Sequence, residues 1–369
     1  MSDHIPIEIQ TEITKRFPVK SLMRFRSVSK PWKSLIDSSQ FVSDYNLRQN
    51  QHHLFIVYKD PNEYGLKYVS IVDDDKFPQQ ICDLSAIVPL FVVDKHDPKV
   101  RVGPTLVSTS QGLLCLYGCS RAYILNPFIR KYIGVTLPNV DYRTNGSFLG
   151  FGVCLKTCVP KVIQVTFNRN SSVTWKLAVF SLRSLLWRSR SFSKISDLPC
   201  ESIKLQSSDE CECVDGFIYW RAYCKDDDQR RIIISFDLAN EEFGVINLPN
   251  DFQRGSVWDL CKYRESLVLI YRDYKISEGY DVWMMEDGVT KSFKKVFTIN
   301  STADCVTTMA ISYNGEAVME ILEDYKYNNV ASIESYEPSS NCFKLTKING
   351  IHGSTSMSSY KETLLLHDY

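Results

Sequence analysis

Val214-Asp215-Gly216-Phe217-Ile218-Tyr219-Trp220 is the stretch on which the fold turns. An Asp-Gly pair between apolar runs marks a tight hairpin, because glycine accepts the left-handed backbone that such a turn requires. A turn just before a strongly apolar strand recurs along the chain. It appears as Gln111-Gly112-Leu-Leu-Cys-Leu, Arg264-Glu265-Ser-Leu-Val-Leu, Asn314-Gly315-Glu-Ala-Val-Met and Lys361-Glu362-Thr-Leu-Leu-Leu, with a weaker copy at Val159-Pro160-Lys-Val-Ile-Gln. From 112 through 160, 216, 265, 315 and 362 the spacings are 48, 56, 49, 50 and 47. A second marker closes each unit: Val88-Pro89, Leu137-Pro138, Leu198-Pro199, Leu248-Pro249, then Ile299 and Ile348 without the proline. Its spacings are 49, 61, 50, 51 and 49, so two independent ladders share one period.

One unit reads as four strands: Glu210 to Val214, Phe217 to Tyr223, Arg231 to Leu238 and Glu242 to Leu248. Four short strands repeated about every 50 residues describe a β-propeller blade of kelch type. Radial repetition leaves few strand edges open. The last turn marker has no closing marker after it, and the first closing marker has no turn marker before it. The C-terminal strands are therefore expected to complete the blade begun by residues 54 to 88. This gives six four-stranded blades, with seven as the alternative count and a β-sandwich as the competing architecture.

The first 47 residues carry a different period. Leu22, Phe25, Val28, Trp32, Leu35 and Ile36 advance by 3, 3, 4, 3 and 1, which is one face of an α-helix. Pro6 suits a helix start, Pro18 ends the segment before it, and Pro31 divides the pattern into two short helices. Three or more helices in about 45 residues cannot bury all their apolar side chains alone. This region, residues 1–47, needs a partner or a docked neighbour, and residues 48–369 form the all-β domain.

Composition excludes some functions. Lys plus Arg and Asp plus Glu are both 43, so no excess of cations points to nucleic acid or an anionic membrane. Hydrophobic content of 44% and charged content of 23% are those of a folded globular chain. No apolar run reaches the length of a membrane helix, and the opening residues lack the basic and apolar regions of a secretory signal. The expected location is cytoplasm, nucleus or both, where the 12 cysteines stay reduced and serve mostly as small buried hydrophobes.

The N-terminal stretch Ile5-Pro-Ile-Glu-Ile-Gln-Thr-Glu-Ile-Thr-Lys-Arg-Phe-Pro-Val-Lys-Ser-Leu22, followed by Phe25, Val28-Ser-Lys-Pro-Trp32, Leu35-Ile36 and Phe41, resembles an F-box. It departs from the family pattern at Ile5, Thr14, Phe17 and Ser29, of which Thr14 is the non-conservative change. The remainder resembles the F-box-associated interaction domain of large plant F-box families. The matching residues are Gly112-Leu-Leu-Cys-Leu, Ile124-Leu-Asn126-Pro127-Phe-Ile-Arg130-Lys-Tyr132 with Leu137-Pro138, Trp175 to Leu182 with Trp187-Arg188, and Val214 to Trp220 with Ile234-Ser-Phe236-Asp237-Leu. The resemblance implies a substrate-recognition subunit of an SCF-type ubiquitin ligase. Its F-box would dock on a Skp-type adaptor, which binds cullin, and its propeller would hold a target protein for ubiquitination. The adaptor-facing candidates are Pro6, Ile7, Ile9, Ile13, Leu22, Val28, Trp32 and Leu35. Trp32 and Leu35 divide evenly between interface and core, whereas Phe25 and Ile36 are expected in the core.

No catalytic set is expected, and neither a metal nor a cofactor. Cys211 and Cys213 alternate along a strand with no histidine nearby, so they read as a buried pair rather than a zinc site. Asp73-Asp-Asp75 and Asp226-Asp-Asp228 lack calcium-loop spacing. In a propeller, the links between strands two and three and those leading to the next blade open on one face, and these links are the longer ones. Tyr142, Arg143, Arg169, Arg230 and Tyr274 on them are the target-binding candidates. A propeller scaffold or lectin-like module uncoupled from any ligase is the alternative function, with Thr14 as its only hint, and a kelch-type oxidase is a weaker third.

Overall fold

The computed structural model describes residues 5–49, 51–63, 65–89, 103–138, 145–168, 175–192, 203–205, 211–224, 230–248, 252, 257–272, 279–286, 291–300, 305–322 and 329–367. Four helices come first: α1 (Ile7–Thr14), α2 (Val19–Val28), α3 (Lys30–Ile36) and α4 (Ser39–Arg48). Strands β1 (His52–Lys59), β2 (Leu66–Asp73) and β3 (Ile81–Asp83) follow, then β4 (Thr105–Ser110), β5 (Leu113–Gly118), β6 (Arg121–Asn126) and β7 (Lys131–Thr136). Next are β8 (Asn145–Cys154), β9 (Val159–Asn168), β10 (Trp175–Ser181) and β11 (Leu186–Phe192). The fourth group is β12 (Ile203–Leu205), β13 (Glu212–Val214), β14 (Phe217–Cys224), β15 (Arg231–Asp237) and β16 (Glu242–Asn247). The chain ends with β17 (Val257–Tyr263), β18 (Ser266–Arg272), β19 (Tyr280–Glu286), β20 (Ser292–Ile299), β21 (Cys305–Ile311), β22 (Ala317–Leu322), β23 (Val330–Glu337), β24 (Cys342–Ile351) and β25 (Ser356–Lys361).

These strands make six antiparallel sheets, arranged as the blades of a propeller. The ring is closed by packing as well as by chain order. One apolar cluster joins the β4–β7, β8–β11 and β12–β16 sheets. Others join β12–β16 to β17–β20, β17–β20 to β21–β24, β21–β24 to the first sheet, and the first sheet to β4–β7. The first sheet has the order β25-β1-β2-β3, so a single C-terminal strand supplies the inner edge of the N-terminal blade. Its register runs from His52↔Lys361 to Val57↔Ser356. This pairing hides the backbone edge of β1, which would otherwise invite aggregation.

The turn residues that define the repeat do what their chemistry allows. Gln111 and Gly112 have φ of 47° and 83°, and Asp215 and Gly216 have 48° and 76°, so both pairs form two-residue hairpins whose twist suits the flanking strands. The strands of the 209–249 unit lie within a residue or two of their expected positions, with β12 as an additional inner piece paired to β14. Two expectations fail. The copy at 159–160 is not a two-residue turn, because four residues separate Cys154 from Val159. The rung at Lys361-Glu362 is not a hairpin, because β25 ends there and no strand follows among the described residues. Residues 362–367 instead run between the helices and the ring and are buried, except for the partly covered Leu365, with Leu364 under the helices and Leu366 in the blade core. An apolar run after a charged pair looks alike in sequence whether a strand or a neighbouring domain covers it.

Of the cysteines, Cys115, Cys154, Cys211, Cys213 and Cys261 are free and buried, while Cys82, Cys119, Cys158 and Cys342 are free and exposed. Cys211 and Cys213 share one inter-blade core, as their alternation implied. Burial pushes the Cys213 thiol up to about 11, which suits an inert packing residue. Cys224 is disulfide-bonded, contrary to an all-reduced reading.

Closure can be tested at Gly112. A Cβ there would lie 2.4 Å from the Lys361 carbonyl oxygen and 2.6 Å from the Thr363 Cβ, at a φ of 83°. Gly112→Ala should therefore cost about 2–4 kcal/mol, from left-handed strain plus the clash with the closing segment. Chemical denaturation of wild type and variant measures it, and a cost under about 0.5 kcal/mol, the size of an ordinary surface change, would show that the closing strand does not sit where described.

Candidate functional site

The four helices are set by their caps and prolines. Pro6 and Pro18 precede α1 and α2 with φ of −53° and −59°, and neither can provide a side-chain cap. Ser29 is extended, and its hydroxyl accepts the Trp32 amide at 3.5 Å, while Pro31 sits in the first turn of α3. Ser38 caps α4 in the same way through the Phe41 amide at 3.3 Å. Ser29 thus breaks the helix after Val28 and starts the next one, so its departure from the F-box pattern has a local purpose.

One side of this bundle faces the propeller. Val19, Leu22, Ile36, Phe41 and Tyr45 are buried together with Leu364 from the C-terminal tail, and Phe128 and Ile129 of the β6–β7 turn pack against them. The joint is also polar and specific. The Glu362 carboxylate accepts the Val19 amide at 3.1 Å and faces the Tyr45 hydroxyl at 3.2 Å. It caps the N-terminus of α2 from outside, which Pro18 cannot do. Asn46 Oδ1 accepts from the Thr363 hydroxyl and the Leu364 amide, each at 3.1 Å. Asn126 donates to the carbonyls of Thr363 and Leu365 at 2.9 and 2.7 Å. Beyond it, His367 lies 3.3 Å from Asp37, which also holds Arg26 through two contacts of 2.5 and 3.0 Å.

The other side is apolar and open. Pro6, Ile7, Ile9, Ile13 and Val28 are all exposed, with Val28 at 78%. Trp32 is half-buried, with Phe25 at 5.8 Å between ring centres, and Phe25 meets Phe17 edge-on at 5.4 Å. Leu35 is half-buried at the margin of the inner cluster. Ile36 is core as expected. Leu22 is corrected: it is fully buried against the tail and cannot lie on an outer face. Helical spacing placed it on an apolar stripe but could not say which neighbour covers that stripe. Ile5, Phe17 and Leu47 are exposed apolar residues that sequence reasoning left off the face. The i, i+4 row Ile9, Ile13, Phe17 carried the signal for one of them. A flanking charge network, Glu12 with Arg48 and Lys15 with Asp44, holds α1 against α4, and the Arg48 contact keeps the Glu12 carboxyl below its usual range.

The expected target face is made by the longer links. Tyr142, Arg143, Arg169 and Tyr274 lie outside the described residues. Arg230 is exposed at the start of β15, 3.2 Å from Asn247. Among the described residues no group of three or more His, Cys, Asp or Glu could hold a metal, and no helix is long and apolar enough to cross a membrane.

Comparison with known proteins fits this arrangement. The family model for the F-box associated beta propeller domain matches residues 93–369, three quarters of the chain, and the F-box domain model matches residues 2–44. The chain belongs to the F-box associated β-propeller family. An F-box/kelch-repeat protein of Arabidopsis thaliana is 25% identical over 350 residues, covering 92% of this chain and 91% of the relative. Another F-box protein of that plant is 23% identical over 355 residues, covering 95% and 84%. TolB from Acinetobacter baumannii aligns over 90% of this chain and 73% of its own at 11% identity, with a TM-score of 0.47. In this F-box protein, Thr14 is fully buried and its hydroxyl is bonded to the Gln10 carbonyl at 2.5 Å, so the departure lies on the inner side of α1, away from the open face.

Glu362 gives the joint a testable pH signature. Burial raises its carboxyl above the usual range, outweighing the Val19 and Tyr45 hydrogen bonds that lower it. A carboxyl with a raised folded pKa binds protons more readily when folded, so its ionisation removes stability as pH climbs from the unfolded value through the folded one. Glu362→Gln should hold stability at pH 7 and flatten its fall as pH rises above the ordinary carboxyl value of 4.5. Glu362→Ala should cost about 1–3 kcal/mol by leaving a buried amide and hydroxyl unpaired. Denaturation midpoints of the three proteins across that range decide it, and equal losses for Gln and Ala would show that the hydrogen bonds contribute nothing.

Proposed function

We propose that this protein is the substrate-recognition subunit of an SCF-type ubiquitin ligase, without catalytic residues of its own. Residues 1–47 dock on a Skp-type adaptor and through it on cullin, and residues 48–369 hold the target protein. The observation that carries the reading is the exposed row Pro6, Ile7, Ile9, Ile13 and Val28 on helices whose other side is already fixed to the propeller. Apolar side chains left open on a small folded unit mark a protein interface, and a groove on a partner helix pair would take them. Trp32, half-buried against Phe25, is a fitting anchor at the rim.

The placement of the helices supports the division of labour. They pack on the β6–β7 turn, which joins a third strand to a fourth, and in a propeller the links between strands two and three and between blades belong to the opposite face. Work in the cytoplasm, the nucleus or both accords with this role. The uncoupled-scaffold alternative rested on Thr14, whose inward position gives it no support.

Co-expression of the full chain with a Skp-type adaptor tests the proposal. Wild type should co-purify with the adaptor. Ile9→Asp with Ile13→Asp should weaken the complex at least 100-fold, and Trp32→Ala should abolish its recovery. These variants should keep the wild-type melting temperature within a few degrees. A stable, folded Ile9→Asp/Ile13→Asp protein that retains the adaptor would refute the assigned face.

A further inference from the structure

The central channel opens, on the helical side of the propeller, into a shallow cleft lined by His52, Lys262, Arg264, Glu265, Tyr313 and Lys361. These residues come from three different blades. His52 and Lys361 are direct cross-strand partners at the closing pair. Lys262 is near the end of β17, Arg264 and Glu265 form its turn, and Tyr313 follows β21. The His52 and Tyr313 rings stack at 3.6 Å and 7°. Arg264 lies 5.1 Å from the ring centres of both Tyr263 and Tyr313, and its Nε donates to the Tyr313 carbonyl at 3.4 Å. Its guanidinium is therefore held in place before any ligand arrives.

The charges do not balance. Three cations share the cleft with one carboxylate, leaving +2, in a chain whose formal net charge is zero. Lys262 and Lys361 are half-buried, and neither ammonium has a hydrogen-bond or ion-pair partner among the described residues. Burial lowers the Lys361 pKa, Lys262 lowers it further, and Glu265 only partly compensates. Burial and then the neighbouring cations hold His52 down to about 4, so its imidazole is neutral near pH 7 and leaves the +2 unchanged. Unpaired, partly desolvated like charges cost stability unless a counter-ion joins them.

We propose that this cleft is a binding site for a compact phosphate-class anion, a phosphomonoester or a short polyphosphate, held by Lys262, Lys361 and the fixed guanidinium of Arg264. A phosphate dianion matches the excess of two charges, and Arg264 offers the planar donors that suit phosphate oxygens. The site is independent of adaptor docking, since none of its residues lies on the helices.

Titration calorimetry and thermal melting of the full chain with inorganic phosphate and pyrophosphate, against chloride at matched ionic strength, test this. Saturable binding and a melting temperature that rises with ligand are expected. Lys262→Met with Lys361→Met should lose at least tenfold in affinity, yet melt no lower than wild type without ligand, because removing the charges relieves repulsion. Glu265→Gln should bind at least threefold more tightly. Absence of saturable binding, unchanged affinity in the double lysine variant, or equal binding of sulfate would each overturn the assignment, the last by reducing the site to unselective anion attraction.

Discussion

The antiparallel pairing of β25 with β1 is the interaction on which the rest depends. It closes the ring by joining residues about 300 apart in sequence, and it fixes where the chain emerges afterwards. Because Lys361 ends that strand opposite His52, the next six residues begin at the base of the helical domain. Glu362, Thr363 and Leu364 then meet Val19, Tyr45 and Asn46 through the bonds that dock it. A single segment thus seals the propeller edge and seats the helices, so neither part is built without the other's neighbour in place.

This geometry fixes which side of the helices stays open. Burial of Leu22, Ile36 and Phe41 against the tail leaves Ile7, Ile9 and Ile13 of α1 exposed among the described residues. A loosely tethered bundle could turn that apolar row inward, but one held by a helix cap, an asparagine clamp and an Arg26–Asp37–His367 contact keeps it facing out. The channel mouth lies on the helical side too, one residue before Glu362, so an anion at Lys361 would sit beside the joint.

Much of this was legible in the sequence because the repeat is written in backbone chemistry. Asp215-Gly216 and Gln111-Gly112 demand left-handed turns, and only a few architectures repeat such turns about every 50 residues. The helices were legible from their period and their prolines. Two of the failures share a physical cause. Leu22 and Leu364 are apolar because they cover each other, and sequence pattern shows that a side chain will be buried but not by what. The polar joint was illegible for a related reason: Glu362, Asn46 and Asn126 are ordinary residues until long-range contacts bring them together. The Lys262, Arg264 and Lys361 cluster was hidden because it draws on separate blades in a chain with balanced charge.

Native-state hydrogen exchange on the full chain tests the central claim, that ring closure and helical docking are one structural unit, most directly. The account predicts that the Val19 and Leu364 amides exchange with the same opening free energy as the β1 and β25 ladder amides, and that all of them lose protection together when Glu362 is replaced by Ala. Val19 and Leu364 exchanging through a separate, low-energy opening while the β1–β25 ladder stays protected would contradict it.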